Sequence, residues 1–393
     1  MKILQINSVC GIGSTGRIAT DIHAALQTKG IESHIMYGRG EPRACDSAIK
    51  INSQLDFYSH ALHTRLFDIH GFCSTNATQQ AIKVLDNLQP DIVHLHNIHG
   101  YYLNVELLFN YFKQHSRIKV IWTLHDCWSF TGHCAYFDFS GCEKWKTQCF
   151  SCPQKNTYPA SNLRDNSKNN YQRKKAAFTG VKDLTIITPS HWLADLVRQS
   201  YLKDYPVQVV SNGIDLTVFR PRVSEFRQKY QVVDKFLIMG AASVWSPRKG
   251  FDDFISLAKM LPDNYRLVMV GLPQEKIKTL PSNIIDIHRT DNPIELAEIY
   301  SAVDVFFNPT YEDNYPTVNL EAIACGTPVI TYNTGGSPES VGNEHGFVLG
   351  KGDIAAVVAV VENLAQEPLT MGTLPVSFDK DNFVNAMLGF YHL

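Results

Sequence analysis

The sequence predicts an α/β protein made of two Rossmann-like units of parallel sheet. Three observations lead there. Short runs of apolar and β-branched residues recur along the chain and read as buried strands, most of them followed by helical spacing. The first such run, Lys2–Asn7, leads into a stretch with Gly11, Gly13 and Gly16 and then a helix, the opening of a Rossmann unit. Far downstream, residues 304–339 repeat the pattern of strand, polar loop, short helix and strand. A βαβ unit puts such a loop at the carboxyl end of a parallel sheet, where ligands bind in open α/β folds.

Composition sets outer bounds. At 393 residues the chain has room for two ordinary domains. An apolar content of 44% with 19% charged residues describes a globular protein. A net charge of −2 argues against bulk nucleic-acid binding, so no nucleic-acid partner is expected. No apolar run reaches the ~18 residues of a membrane helix. The start, MKILQIN, goes straight into a strand, so no signal peptide is expected. Of nine cysteines, four cluster and five are scattered, which fits a reducing compartment and a cytoplasmic protein.

Taken in order, the helix after the first glycines spans about Arg17–Lys29 and carries Ile18, Ile22, Ala25 and Leu26 on one face, with Gly30 ending it. Gly11, Gly13 and Gly16 satisfy G-x-G-x-x-G. The acid expected after a second strand for dinucleotide binding is not evident, so that match alone is weak. Glu32–Tyr37 and Ile92–His96 read as strands. His94 and His96 share one strand face and His99 follows. No acid or cysteine beside them completes a metal set, so these histidines are expected to pack or to line a cleft. Lys119–Leu124 is the next strand, and His125-Asp126 sits just past its carboxyl end, facing the crevice.

Residues 127–158 read as an insertion, aromatic and punctuated by glycine. Cys134, Cys142, Cys149 and Cys152 lie within it, and the Cys-x-x-Cys-Pro ending is a common structural-zinc half-site. A loop with little apolar mass of its own would be stapled by a Cys₄ zinc. Two disulfides or four thiols are the alternatives. Residues 164–175 carry Arg164, Lys168, Arg173, Lys174 and Lys175. They form either a solvated helix face or a basic surface meeting anionic lipid.

Leu184–Thr188 and Val207–Val210 are strands, and Ser211–Asp215 holds an Asn-Gly turn between Pro206 and Pro221. A second unit opens at Phe236–Gly240. Arg248-Lys249-Gly250 precedes the helix Phe251–Met260, where cations and a helix N-terminus can hold phosphate. Arg266–Gly271 and Ile284–His288 are further strands. The strand ending at Asn308 is stopped by Pro309, and a helix runs from about Thr317 to Cys325, capped by Gly326 and closed by Pro328. Backbone N–H groups at Thr317, Val318 and Asn319 would favour a pyrophosphate. Asp313 and Glu321 flank that position. Carboxylates repel phosphate, so they are expected to accept from sugar hydroxyls.

These residues resemble family 4 glycosyltransferases. The resemblance rests on Asp313 and Glu321 at their seven-residue separation, on Leu320-Glu321-Ala322-Ile323-Ala324-Cys325-Gly326-Thr327-Pro328, and on Gly335, Gly336 and Glu339. The family's first acid is normally Glu, and Glu312 lies one place off. The family's Arg-x5-Lys finds its Lys at Lys249 but Ser243 at the Arg position, so Arg248 is the candidate replacement. The insertion is similar to that of bacterial exopolysaccharide transferases of the colanic-acid type, through His125, Asp126, Trp128, Thr131, Gly132, Cys134, Cys142, Trp145, Cys149, Cys152 and Pro153.

The resemblance implies the GT-B fold, two Rossmann-like domains facing across a cleft. It places an acceptor domain at 1–213, a nucleotide-sugar domain at 214–375, and a tail, 376–393, that packs back on the first. It implies a retaining hexosyl transfer from a nucleoside diphosphate sugar to a lipid-linked oligosaccharide at the membrane surface, without a cofactor for the chemistry. His125, Asp313, Glu321 and Lys249 would be catalytic. Gly13, Gly16, Arg248, Thr317, Val318 and Asn319 would hold the donor. A sugar-nucleotide epimerase, or an inactive sugar-nucleotide binder, would use the same groove.

Overall fold

The computed structural model describes residues 1–242, 244–272, 280–342 and 344–393. The chain divides into two compact units, Met1–Val210 with Val384–Leu393, and Ser211–Phe383.

The first unit holds a seven-stranded sheet. Its strands are β1 (Lys2–Asn7), β2 (Glu32–Tyr37), β3 (Ala48–Lys50), β4 (Ile92–Leu95), β5 (Lys119–Thr123), β6 (Leu184–Thr188) and β7 (Val207–Val209), in the order β3-β2-β1-β4-β5-β6-β7. Every pairing is parallel. Strands covered on both faces must be apolar throughout, which is why β1 and β4 read as near-continuous apolar runs. Strand order reverses between β1 and β4, so the loops after them, Ser8–Ile12 and His96–Asn104, flank the switch point of this sheet. The helix Gly13–Thr28 begins inside the glycine-rich turn, earlier than sequence periodicity suggests, because Gly11 and Gly13 take the left-handed turn that leads into it.

The polar residues on these strands are paired. His94 lies 2.5 Å from the Tyr391 hydroxyl and 2.7 Å from that of Thr123. Tyr391 follows the helix Lys380–Phe390 and belongs to this unit, as do residues from Val384 on. Residues 376–383 belong to the second unit, where the Ile214 N–H donates to the Phe378 carbonyl at 2.8 Å and Lys380 pairs with Asp215 at 2.6 Å.

The insertion is not a loop apart from the core. Phe130, Phe137 and Trp145 are buried with Cys134 and Cys149 in the same cluster as Trp122, Phe109 and Phe178. The Trp145 and Phe137 rings stack at 4.9 Å. Buried Asp68 fastens the insertion to its surroundings through its ion pair with His133 and the N–H of Asn166. The expectation of a zinc staple finds no support here, although Cys134, Cys142, Cys149 and Cys152 line one cavity. Among the described residues no group of three or more His, Cys, Asp or Glu is placed to hold a metal ion. No disulfide joins the described cysteines. Cys134 is hydrogen-bonded to Cys152, and the Cys149 sulfur accepts from the Gly132 N–H at 3.2 Å. The apolar mass that the metal was invoked to replace is present.

The basic stretch 164–175 is also less exposed than its sequence suggests. It lies largely on the helix Ser167–Phe178. Arg173 is bound to Glu106 by two hydrogen bonds of 2.8 and 2.6 Å, and Lys174 is fully buried. Arg164, Lys168 and Lys175 remain at the surface.

The second unit holds a six-stranded parallel sheet of β8 (Phe236–Ala241), β9 (Tyr265–Val270), β10 (Ile284–Ile287), β11 (Val305–Asn308), β12 (Val329–Tyr332) and β13 (Gly346–Leu349), ordered β10-β9-β8-β11-β12-β13. Its switch point lies between β8 and β11. The loops that follow those strands, 242–250 and 309–316, therefore meet at one place. Among the described residues no helix is long and apolar enough to cross a membrane.

Candidate active site

In the second unit the two switch-point loops are locked together through their backbones. Gly250 sits at φ +69°, and a side chain there would meet the Pro309 carbonyl oxygen at 2.1 Å. Only glycine permits that approach. The Tyr311 N–H donates to the Arg248 carbonyl at 2.9 Å. Gly335, at φ +55°, makes the same kind of approach to the Asp313 carbonyl oxygen, which also accepts from the Gly336 N–H at 3.2 Å. The Gly-Gly pair noted in the sequence thus supports the acidic loop from behind. Tyr311 and Tyr332 both donate to Asp253 at 2.8 Å and tie the loop to the helix Phe251–Met260, a bracing that no local sequence signal announces.

This packing brings two cation–carboxylate pairs side by side. Lys249 Nζ lies 2.5 Å from Asp313 Oδ2, and both side chains are partly open to solvent. The other Asp313 oxygen accepts from the Asn314 N–H at 2.9 Å. Arg248 donates to the Glu312 carbonyl at 3.2 Å and lies 4.0 Å from its carboxylate, which is buried. Arg248 and Lys249 are therefore both at the switch point, each beside an acid. Sequence spacing chose Asp313 over Glu312; the structure gives each of them a cation. The Ser243 position lies outside the described residues.

The helix Thr317–Ala324 begins at Pro316 with no side-chain cap. The first N–H groups of a helix lack intrahelical acceptors, which leaves those of Thr317 and Val318 in the position where helix N-termini meet anions. Asn319 differs from expectation. Its N–H donates to the Pro316 carbonyl at 3.1 Å, and its fully buried side chain bonds Asn308, Ser337 and Ser340. It holds the helix to β11 and the 338–340 turn. Glu321 is buried in the same helix and accepts from the Tyr300 hydroxyl at 3.4 Å.

In the first unit, Gly13 and Gly16 lie at the start of the helix Gly13–Thr28, and the Gly11 N–H closes the turn onto the Gly16 carbonyl at 3.1 Å. Across the switch point, His125 is half-buried and its Nε2 lies 3.5 Å from His96 Nδ1, with the two rings stacked. Burial holds the His125 imidazole down to about 4, although Asp126 pulls the other way. It is neutral at pH 7 and can accept or donate one hydrogen bond. His96 is anchored in turn on Gln5 at 3.0 Å. Asp126 pairs with His99 at 2.9 Å and accepts from the Trp128 N–H at 2.9 Å. Burial disfavours its charge, but His99, the Trp128 N–H and His125 together outweigh this and the carboxyl stays below its usual range. His99 also meets the Tyr158 hydroxyl at 3.0 Å. A small cavity is lined by His96, Asn97, His99, His125 and Asp126. The partnership of His99, Asp126 and Tyr158 was not foreseeable, because it joins β4, β5 and the insertion.

Residues 15–218 match Glycosyltransferase Family 4, and residues 223–378 match Glycosyl transferases group 1. A protein of Escherichia coli named for colanic acid biosynthesis, the glycosyl transferase WcaC, is 26% identical over 91% of this chain and 89% of its own. Sucrose-phosphate synthase from Thermosynechococcus elongatus superimposes with a TM-score of 0.72 at 17% identity, covering 100% of this chain and 98% of that one. HepE of Anabaena, solved in complex with UDP, gives 0.69 at 13% identity with both chains covered in full. At such identities the likeness shows the fold, the GT-B pair of Rossmann-like domains.

Proposed function

Because the chain belongs to glycosyltransferase family 4, we propose that this glycosyltransferase moves a hexosyl group, with retention, from a nucleoside diphosphate sugar to a hydroxyl of a lipid-linked oligosaccharide in bacterial surface polysaccharide assembly. One observation carries the reading: Lys249–Asp313 and Arg248–Glu312 stand together at the switch point of the second sheet, on the loops that flank the N-terminus of the helix Thr317–Ala324. The kinship over nearly the whole chain to a protein named for colanic acid biosynthesis supports a role in surface polysaccharide assembly, and the UDP-bound fold neighbour supports a nucleotide-sugar donor.

In this reading the diphosphate lies between Lys249, Arg248 and the N–H groups of Thr317 and Val318. As the glycosidic bond breaks, negative charge grows on the departing diphosphate. Donors fixed in advance stabilise it without reorganisation. Asp313 orients Lys249 through their short contact and faces the donor sugar. Glu321 accepts from a nucleotide ribose hydroxyl. Gly13 and Gly16 let backbone approach the donor, and neutral His125 bonds a sugar hydroxyl. The departing phosphate oxygen takes the acceptor proton and guides attack on the face it leaves. Residues 1–213 and 214–375 serve acceptor and donor respectively, and Arg164, Lys168 and Lys175 meet the anionic membrane surface.

The test is transfer from UDP- and GDP-hexoses to a lipid-linked oligosaccharide, with the anomeric configuration of the product read by NMR. Lys249→Ala should lower the single-turnover rate at saturating donor by about tenfold or more, ~1.4 kcal/mol of transition-state stabilisation, with a smaller change in donor affinity. Donor converted without acceptor would select the epimerase reading. Donor bound but never consumed would select an inactive binder. An unchanged rate in Lys249→Ala would remove that residue from the leaving-group site.

A further inference from the structure

One cluster of reactive side chains lies outside everything assigned above. Cys10 stands in the glycine-rich turn after β1 and is fully buried. Cys45 stands in the segment between β2 and β3, is partly exposed, and packs against the small core of Cys10, Ala19, Ile35 and Tyr37. The two segments touch closely. The Arg43 N–H donates to the Cys10 carbonyl at 3.2 Å, and a side chain on Gly11 would meet the Arg43 carbonyl oxygen at 2.2 Å. The Cys45 thiol is hydrogen-bonded to the Cys10 thiol and to the His23 ring. His23 is itself held, with Nδ1 2.9 Å from Ser33 Oγ and Nε2 3.4 Å from Ser47 Oγ.

We propose that Cys45 and Cys10 form a dithiol modification site, in which Cys45 attacks low-molecular-weight disulfides and Cys10 resolves the adduct into a Cys10–Cys45 disulfide. Packing alone does not explain the arrangement. A buried structural thiol sits inert among apolar groups, whereas reactive ones are partly exposed beside a donor. Here the partly exposed sulfur is the one facing both donors. The bonds from Cys10 and His23 outweigh burial and hold its thiol down to about 4, while the same contact pushes the Cys10 thiol up. The shared proton therefore stays on Cys10.

The chemistry balances. The Cys45 thiolate attacks one sulfur of the small disulfide, forming a mixed disulfide and expelling one small thiolate. Cys10 gives its proton to that thiolate and attacks the Cys45 sulfur. The second small thiolate leaves. Two protein sulfurs are oxidised and one small disulfide is reduced to two thiols. Because hydrogen bonds stabilise the reduced pair, the disulfide should be easily reduced. The bridge would clamp the turn Ser8–Ile12 to the 38–47 segment, so the modification acts on the loop at the first sheet's switch point.

The experiment treats the folded full-length protein with glutathione disulfide, quenches in acid, alkylates remaining thiols and maps peptides by mass spectrometry. The first cross-link should join the Cys10 and Cys45 peptides and disappear on adding reduced glutathione. Cys10→Ser should instead retain one glutathione on Cys45, and Cys45→Ser should leave Cys10 unmodified. If folded wild-type protein gives no Cys10–Cys45 peptide, or pairs other cysteines first, such as Cys134 with Cys152, the proposal is overturned. The wild-type map decides even where a variant fails to fold, and Cys10→Ser folded but unmodified at Cys45 would equally refute it.

Discussion

Replacing Lys174 by Met should change how stability depends on pH. Lys174 is fully buried beneath Trp128, with Nζ 3.4 Å from the centre of that ring and donating to the Trp128 carbonyl at 2.8 Å. Burial pulls its ammonium down to about 7, against the opposing pull of the Asp68 and Asp126 carboxylates. In an unfolded chain a lysine titrates near ~10.4. The folded value is depressed, so between about pH 7 and about pH 10 the unfolded chain holds the extra proton. Stability then rises with pH, by ~1.4 kcal/mol per unit once the folded lysine has lost its charge. Met fills a similar volume and does not titrate. It also leaves the Trp128 carbonyl without this donor, a cost of ~1–3 kcal/mol that does not vary with pH. Urea unfolding of both proteins at about pH 7.5, 8.5 and 9.5 isolates the term, because other titrations largely cancel in the difference. Cys149, pushed up to about 12 by burial, keeps its proton throughout. Wild-type stability minus variant stability should climb by ~1.4 kcal/mol per pH unit. A flat difference would show that Lys174 titrates normally and would refute the account of its burial.

Two further outcomes probe the second unit. Gly250→Ala forces an alanine into the left-handed region against the Pro309 carbonyl. It should cost ~1–3 kcal/mol in urea unfolding and raise the donor KM, since Gly250 sets the loop that carries Arg248 and Lys249. Glu321→Ala should lower turnover by about tenfold or more, ~1.4 kcal/mol; near-native kinetics in a folded variant would remove Glu321 from the donor site.

What the sequence made legible follows from the range of the forces involved. Parallel strands buried on both faces are apolar along most of their length, so β1 and β6 were readable with their observed bounds, as was β2 from its apolar second half. Helices that announce themselves through caps were also within reach. Asn104 caps the helix Val105–Gln114 through the N–H groups of Glu106 and Leu107, and Asn292 caps the helix Pro293–Ala302 in the same way. Neither helix was read from the sequence, although each is announced by its capping asparagine. The zinc expectation, which the structure does not support, rested on a different kind of signal. Cysteine spacing is a local pattern, but whether an insertion needs a metal depends on the core it joins. Trp145 and Phe137 reach that core through residues more than a hundred positions from β1.

The site divides along the same line. The chemical types were visible: cations before a helix, acids in the loop after β11, a histidine past β5. Which acid meets which cation was not, because Lys249 and Asp313 lie 64 residues apart in sequence. Their meeting follows from topology. Strand order reverses at β8 and β11, and that reversal brings the loops after those strands to one place. Gly250 and Gly335 then let the backbones approach until the side chains must pair. A cation brought so close to a carboxylate is positioned before any ligand arrives, and it can meet a diphosphate only by sharing its contact with Asp313. The acid is therefore part of the cation's geometry, and the two residues have to be tested together as well as singly, since contacting residues do not contribute additively.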